Sequence, residues 1–195
     1  MNNIKNFRLA LSEFHKKYLF DLKFRKKGNT LLREWGATTQ IINFQKSRSE
    51  ALYYTNIGVS FHEIADFNSI ERRVDKVEQC SLTGIYTRLS NLDKRAIDWP
   101  EVLGSHDATL FEKILLDFIP NLNALQSVAD YIGHKWRLGR ESNEISIISL
   151  YILGRYEDAM GAISSLCRIL EDHPMKPTPK KIVEKYGLTK LQGYL

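Results

Sequence analysis

The residues with chemistry to offer are five histidines, two cysteines and a scattering of amides and arginines. The histidines are His15, His62, His106, His134 and His173. No two stand four apart with a carboxylate between them, the spacing that would put two imidazoles and a base on one helix face. His62-Glu63 is an isolated dipeptide, and His62 reads as a surface imidazole. Cys80 and Cys167 lack Cys–Xaa–Xaa–Cys spacing and so give neither a zinc nor a redox motif. Cys167 falls on the apolar side of a helical repeat, as a buried structural thiol would. There is no Gly–Xaa–Ser–Xaa–Gly elbow, phosphate-binding loop or dinucleotide fingerprint. The expectation is no metal, no cofactor and no assignable catalytic residue.

A different constellation points to recognition. Asn43, Gln45, Asn56, Ser60 and Arg88 fall on one face of a predicted sheet, with Lys46 and Arg48 at its rim. Amides and a guanidinium present fixed donors and acceptors, which suits binding better than proton transfer. The same pattern also arises when an antiparallel sheet simply has one wet face.

The elements that must position these residues follow from alternation. From Tyr53 to Phe61, Tyr53, Thr55, Ile57, Val59 and Phe61 share one face, and Tyr54, Asn56, Gly58 and Ser60 the other. Gln40, Ile42 and Phe44 alternate with Ile41, Asn43 and Gln45 in the preceding run. The polar stretch Lys46 to Glu50 between them predicts a hairpin. Symmetry about that loop sets Asn43 opposite Asn56 and Gln45 opposite Tyr54. Leu31 to Trp35, broken off by Gly36, and Ser81 to Leu89 supply two more strands. The predicted fold is α+β: a four-stranded antiparallel meander of about residues 30–36, 38–46, 52–61 and 80–89. Its apolar face, with Ile42, Phe44, Ile57, Val59 and Phe61, is covered by an N-terminal helix and a C-terminal helical region.

The covering helices are legible from their stripes. Ile4, Phe7, Leu11, Phe14, Tyr18 and Leu19 recur at helical spacing through residues 4–20. A helix capped by Asp107 is expected to stop near Pro120, and a second to run from Asn121 to Trp136. Ser142 caps a third that ends at Gly154, and Tyr156 to Leu170 forms a fourth. After a connector with Pro174, Pro177 and Pro179, Thr178 caps a short last helix. LGRYEDAMGAISSL looks like half of a tetratricopeptide hairpin, but no second copy occurs, so a solenoid is excluded. The whole is read as one domain over 1–195, with a helix and sheet part at 4–100, a helical part at 105–172 and a tail at 173–195.

The 195 residues suffice for a sizeable core. No apolar run is long enough to span a bilayer, and the expectation is no membrane. Two cysteines argue against a disulfide scaffold and fit a cytoplasmic setting. Charge is segregated. Residues 1–48 carry 11 Lys and Arg against 3 Asp and Glu, and residues 49–172 carry 12 against 19. That asymmetry can steer an acidic partner to the basic end. Its densest point is Arg25-Lys26-Lys27, read as a basic turn that closes with Gly28-Asn29 and projects all three cations together.

Four stretches together resemble a bacterial family known only as domain of unknown function 4304. They are the leading helix, FRKKGNTLLRE, INFQKS and YTNIGVSF, with CSLTGIYTRL agreeing in style. The resemblance covers roughly residues 4–100 and implies an α+β fold without an activity. Asn43, Gln45, Lys46, Asn56 and Gly58 are matching positions to which it attaches no role.

The sequence therefore predicts a non-catalytic binding protein, of which an immunity protein is one form, with another protein as partner. Asn43, Gln45, Lys46, Arg48, Asn56, Arg88, Arg25, Lys26 and Lys27 are the candidate binding residues. One alternative is an enzyme whose site is assembled on the polar sheet face. The other is a weak nucleic-acid binder, disfavoured by the acidic middle of the chain.

Overall fold

The computed structural model describes residues 5–92, 94–134, 141–172 and 176–195. Of the residues discussed above, Ile4, Trp136, His173, Pro174 and the side chain of Ser142 lie outside the described set. A short strand β1 (Lys5–Asn6) leads into α1 (Phe7–Phe14), extended by a π turn over His15–Leu19. The strands β2 (Arg25–Lys27), β3 (Thr30–Trp35), β4 (Thr38–Lys46) and β5 (Leu52–Phe61) follow. Next come α2 (His62–Phe67), a 3-10 turn (Val77–Leu82), β6 (Gly84–Arg88), α3 (Leu89–Leu92), β7 (Trp99–Pro100) and β8 (Val102–Leu103). The helices α4 (Ser105–Asn123), α5 (Val128–Gly133), α6 (Glu141–Ile152), α7 (Tyr156–Ile169) and α8 (Pro179–Lys185) complete the chain, with a 3-10 turn at Thr189–Tyr194.

The sheet is an antiparallel meander in the order β2-β3-β4-β5-β6, and β7 pairs with the start of β5. The fold is α+β, as the alternation implies, and the meander has one strand more than the four expected. That strand is Arg25–Lys27, which pairs with β3 through Lys26 opposite Leu31 and Lys27 opposite Thr30. Gly28, at φ 59°, and Asn29 are therefore the two-residue loop of a hairpin. The basic triplet is not a projecting turn, and a strand sends its neighbours to opposite faces. The fourth predicted strand begins later than expected, at Gly84, because Val77–Leu82 coils into the 3-10 turn that holds Cys80.

The apolar face of the sheet is the predicted one. Ile42, Phe44, Ile57, Val59 and Phe61 are all buried in the main core. Phe7 of α1 stacks on Tyr53 with centroids 4.3 Å apart, and Phe111 of α4 meets Phe7 and Trp99 edge-on. Such ring pairs add about 0.5–1.5 kcal/mol each beyond the area they bury. Trp99 is fully buried and donates its indole N–H to Thr55 Oγ1 at 2.9 Å.

α4 runs through Pro120 to Asn123 instead of stopping before it. Proline removes one backbone donor, which would have served the carbonyl of Leu116, a partly exposed residue. The helix begins one turn earlier than expected, with Gly104 as N-cap, and Asp107 Oδ2 accepts the Gly104 N–H at 3.2 Å. The second predicted helix shortens to α5, capped by Ser127, whose hydroxyl accepts from Asp130 N–H. A second core of Ile147, Leu150, Ala159, Ile163, Leu166 and residues of the tail joins α6, α7 and α8. Thr178 caps α8 as expected, accepting from Lys181 N–H at 3.3 Å.

Candidate functional site

The face of the sheet turned away from α1 and α4 carries the predicted polar residues, and the register aligns them. Lys27 pairs with Thr30, Thr30 with Asn43, Asn43 with Asn56, and Asn56 with Arg88. All five side chains stand on one face, because directly opposed residues in an antiparallel sheet point the same way. The result is a polar row across five strands with a cation at each end. Gln45 pairs with Tyr54 one step further along, as loop symmetry requires.

Hydrogen bonds fix the amides in this row. Asn43 Nδ2 donates to Thr30 Oγ1 at 2.8 Å, and Asn56 Nδ2 donates to Gln45 Oε1 at 3.1 Å. The Arg88 guanidinium lies over the Tyr54 ring, 4.2 Å from its centroid. Gln45, Lys27 and Arg88 are exposed, Asn43 and Thr30 are half-buried, and Asn56 is 2% exposed. Asn56 thus acts by orienting Gln45, while Gln45 and Arg88 present their groups to solvent.

The part of this face around Ile41, Gly58 and Ser60 is covered. Ile41, Val74, Val77 and Cys80 form a small second-face core against Leu32 and Tyr86. Gly58 makes the cover possible: a Cβ there would lie 2.7 Å from Cys80 Sγ and 2.9 Å from a Val77 methyl. Ser60, expected in the open polar group, is fully buried beneath this turn and shares a 2.6 Å hydrogen bond with Thr83. Burial pushes the Cys80 thiol up to about 12, with Glu78 adding to the shift. Such a thiol is inert at neutral pH. Cys167, expected to be buried, is half-buried on α7.

Beside the row lies a groove of about 860 Å³ between β2–β3 and the segment 73–76. Arg25 and Lys27 line it from the edge strand, and Arg73 and Lys76 from across. Leu32 and Val74 supply apolar lining, and Glu34 and Asp75 are its acids. Lys26 is absent from this groove. It faces the α1 side, where it lines a smaller pocket of about 240 Å³ with Arg8 and the Gly28-Asn29 loop. Lys46, placed at the rim by the sequence, also belongs to the other face. It opposes Tyr53 and pairs with Glu101 Oε1 at 2.9 Å. Arg48 is exposed in the β4–β5 loop.

His62 is not a plain surface histidine. Its Nε2 lies 3.1 Å from Thr39 Oγ1 and 3.1 Å from Glu34 Oε2. Both contacts use one ring nitrogen, whereas a nucleophile relay needs the hydroxyl and the carboxylate on opposite nitrogens. This arrangement braces β3, β4 and α2 together. Among the described residues no cluster of His, Cys, Asp and Glu could hold a metal ion. Among them, too, no helix is long and apolar enough to cross a membrane.

On the core side of the same strands is a polar group that sequence reasoning passed over. Arg33 and Gln40 are fully buried opposite each other in the register. Arg33 donates to Gln40 Oε1, to Leu22 O at 3.1 Å and to Asn123 Oδ1 at 2.5 Å. Its guanidinium lies 4.3 Å from the centroids of both Phe24 and Trp35. Gln40 Nε2 and the Trp35 and Thr38 side chains donate to carbonyls at the end of α4 and just beyond. The sheet thus caps α4, and a buried cation sits at the negative end of the helix dipole. Burial pushes the Arg33 guanidinium down to about 10, so it remains protonated at neutral pH. The signal was in the alternation, which places Arg33 with Leu31 and Trp35 facing the core.

The family model described as a domain of unknown function, DUF4304, matches residues 15–108. Residues 15–108 are a DUF4304 domain. The match contains β2 to β6 entire, so the polar row, the groove and the 3-10 cover all belong to the DUF4304 domain. It begins after α1 and ends just inside α4, compared with the expected span of roughly 4–100. Comparison with curated proteins and with solved structures gives no match.

Proposed function

We propose that this is a non-catalytic binding protein that docks another protein on the outer face of its DUF4304 sheet. The observation that carries the reading is the five-strand row from Lys27 to Arg88, left open beside the part of the face that the 3-10 turn covers. A merely solvated face would not need its amides locked to one another. Here Thr30, Asn43, Asn56 and Gln45 are held in hydrogen bonds that fix which donors and acceptors face outward. Preorganised polar groups lose little conformational freedom on binding. The cations at the two ends and in the groove favour an acidic partner surface. Glu34 and Asp75 beside them weigh against a nucleic-acid duplex, which would bring a long run of phosphates past both.

The test is affinity capture from the native host with two baits, the wild type and the Lys27→Glu/Arg88→Glu double variant. A protein retained by the first and lost from the second is the expected result. Identical captures by both baits, or capture of nucleic acid alone, would remove the reading.

A further inference from the structure

We infer that the groove between β2–β3 and residues 73–76 is a binding site for a phosphate monoester. The inference goes beyond the docking reading and does not depend on it. Three observations support it.

The first is charge. Arg25 and Lys27 face Arg73 and Lys76 across the groove. Arg73 has one carboxylate neighbour, Asp75, at 3.5 Å. Among the described residues, no carboxylate lies within ion-pair range of Arg25, Lys27 or Lys76. Cations gathered from two separate elements, three of them without an ion-pair partner among the described residues, repel one another, and an anion between them relieves that repulsion. The donor set includes two guanidiniums, whose planar forks match the oxygens of a phosphate.

The second is shape. At about 860 Å³ the groove falls in the range of about 300–1,000 Å³ usual for small-ligand sites. Leu32 and Val74 offer apolar surface for the carbon skeleton attached to the phosphate. An inorganic ion alone would leave that surface unused.

The third is the placement of the acids. Glu34 and Asp75 line the same groove. They allow one dianionic group among the four cations and oppose a chain of phosphates, which singles out a monoester from a polynucleotide. The hairpin strand also sets specificity by alternation. Lys26 carries the same charge as its neighbours but lines a different pocket on the opposite face.

A phosphate monoester could arrive as a free small molecule or as a phosphorylated side chain of a protein. The experiment separates the two. Amide shifts in two-dimensional NMR spectra and isothermal calorimetry are recorded with adenosine monophosphate, and with a short phosphoserine peptide and its unphosphorylated form. The expected result is saturable shifts in β2, β3 and residues 73–76 with a phosphorylated probe. Affinity should fall at least about tenfold in Arg25→Gln/Arg73→Gln and stay unchanged in Lys26→Gln. Tighter binding of the nucleotide assigns a free ligand, and tighter binding of the peptide assigns a modified partner; each supports the site. Absence of saturable binding by both phosphorylated probes overturns the inference, as does binding that Arg25→Gln/Arg73→Gln leaves intact. Thermal melts confirm that the variants are folded. Loss of a captured protein on Lys27→Glu/Arg88→Glu without phosphate binding would refute this site and leave the docking reading standing. Phosphate binding with no captured protein would do the reverse.

Discussion

Arg33 Nε and Nη2 both donate to Oε1 of Gln40, at 3.0 and 2.8 Å, and neither side chain has any exposure to solvent. The pair ties adjacent strands together and joins them to the end of α4 through Asn123, Leu122 and Leu125. The same two strands carry Thr30 and Asn43 on their other side. A rigid joint on one face thereby holds the polar row on the other.

Removing that joint should therefore be costly. Arg33→Met deletes every donor to Gln40 Oε1, Leu22 O and Asn123 Oδ1 and leaves buried acceptors bare. Each unsatisfied buried group costs about 1–3 kcal/mol. A loss of about 3 kcal/mol or more is expected in urea melts. A loss under about 1 kcal/mol would show that water or rearrangement replaces the guanidinium.

Ile57 is fully buried on the apolar face. Ile57→Ala should cost about 2–5 kcal/mol by the same melts, from lost burial and the cavity left behind.

The 3-10 cover depends on Gly58. Gly58→Ala would push a methyl group into Cys80 Sγ and Val77, displacing a turn that is itself tightly packed. The expected cost is about 1–3 kcal/mol, accompanied by faster reaction of Cys80 with a thiol reagent. In the wild type, the half-buried Cys167 should react first and Cys80 only on unfolding. An equal rate for both thiols in the native protein would contradict the cover.

Cys80 also fixes a pH dependence. Its folded value, about 12, lies above the ordinary 9.0. Between these values the unfolded chain has released a proton that the folded chain still holds. The stability contributed by the buried neutral thiol is therefore complete below pH 9 and declines as pH rises toward 12. Cys80→Ala should flatten that part of the stability-against-pH curve.

These tests also show which features were legible in the residues. The pairings of Asn43 with Asn56 and of Gln45 with Tyr54 follow from alternation plus one polar loop, both local properties. The burial of Ser60 does not, because its cover comes from a turn some twenty residues on and depends on Gly58 lacking a side chain. Arg25-Lys26-Lys27 reads as a turn because three like charges show no apolar alternation. Its strand character comes from pairing with Thr30, Leu31 and Leu32. Pro120 reads as a helix stop because its local preference is strong. Packing of Phe118, Ile119 and Leu122 against the sheet carries the helix past it.

Arg25, Lys26 and Lys27 provide the most direct test of the proposed docking face, since alternation places equal charges on opposite sides of one short strand. The measurement is the affinity of the captured partner for Arg25→Glu/Lys27→Glu and for Lys26→Glu, each across a salt titration, with folding checked by thermal melt. The double variant should lose at least about tenfold in affinity and most of the salt dependence, while Lys26→Glu stays close to wild type. Equal losses in the two variants, or none in either, would contradict docking on the outer face of the sheet.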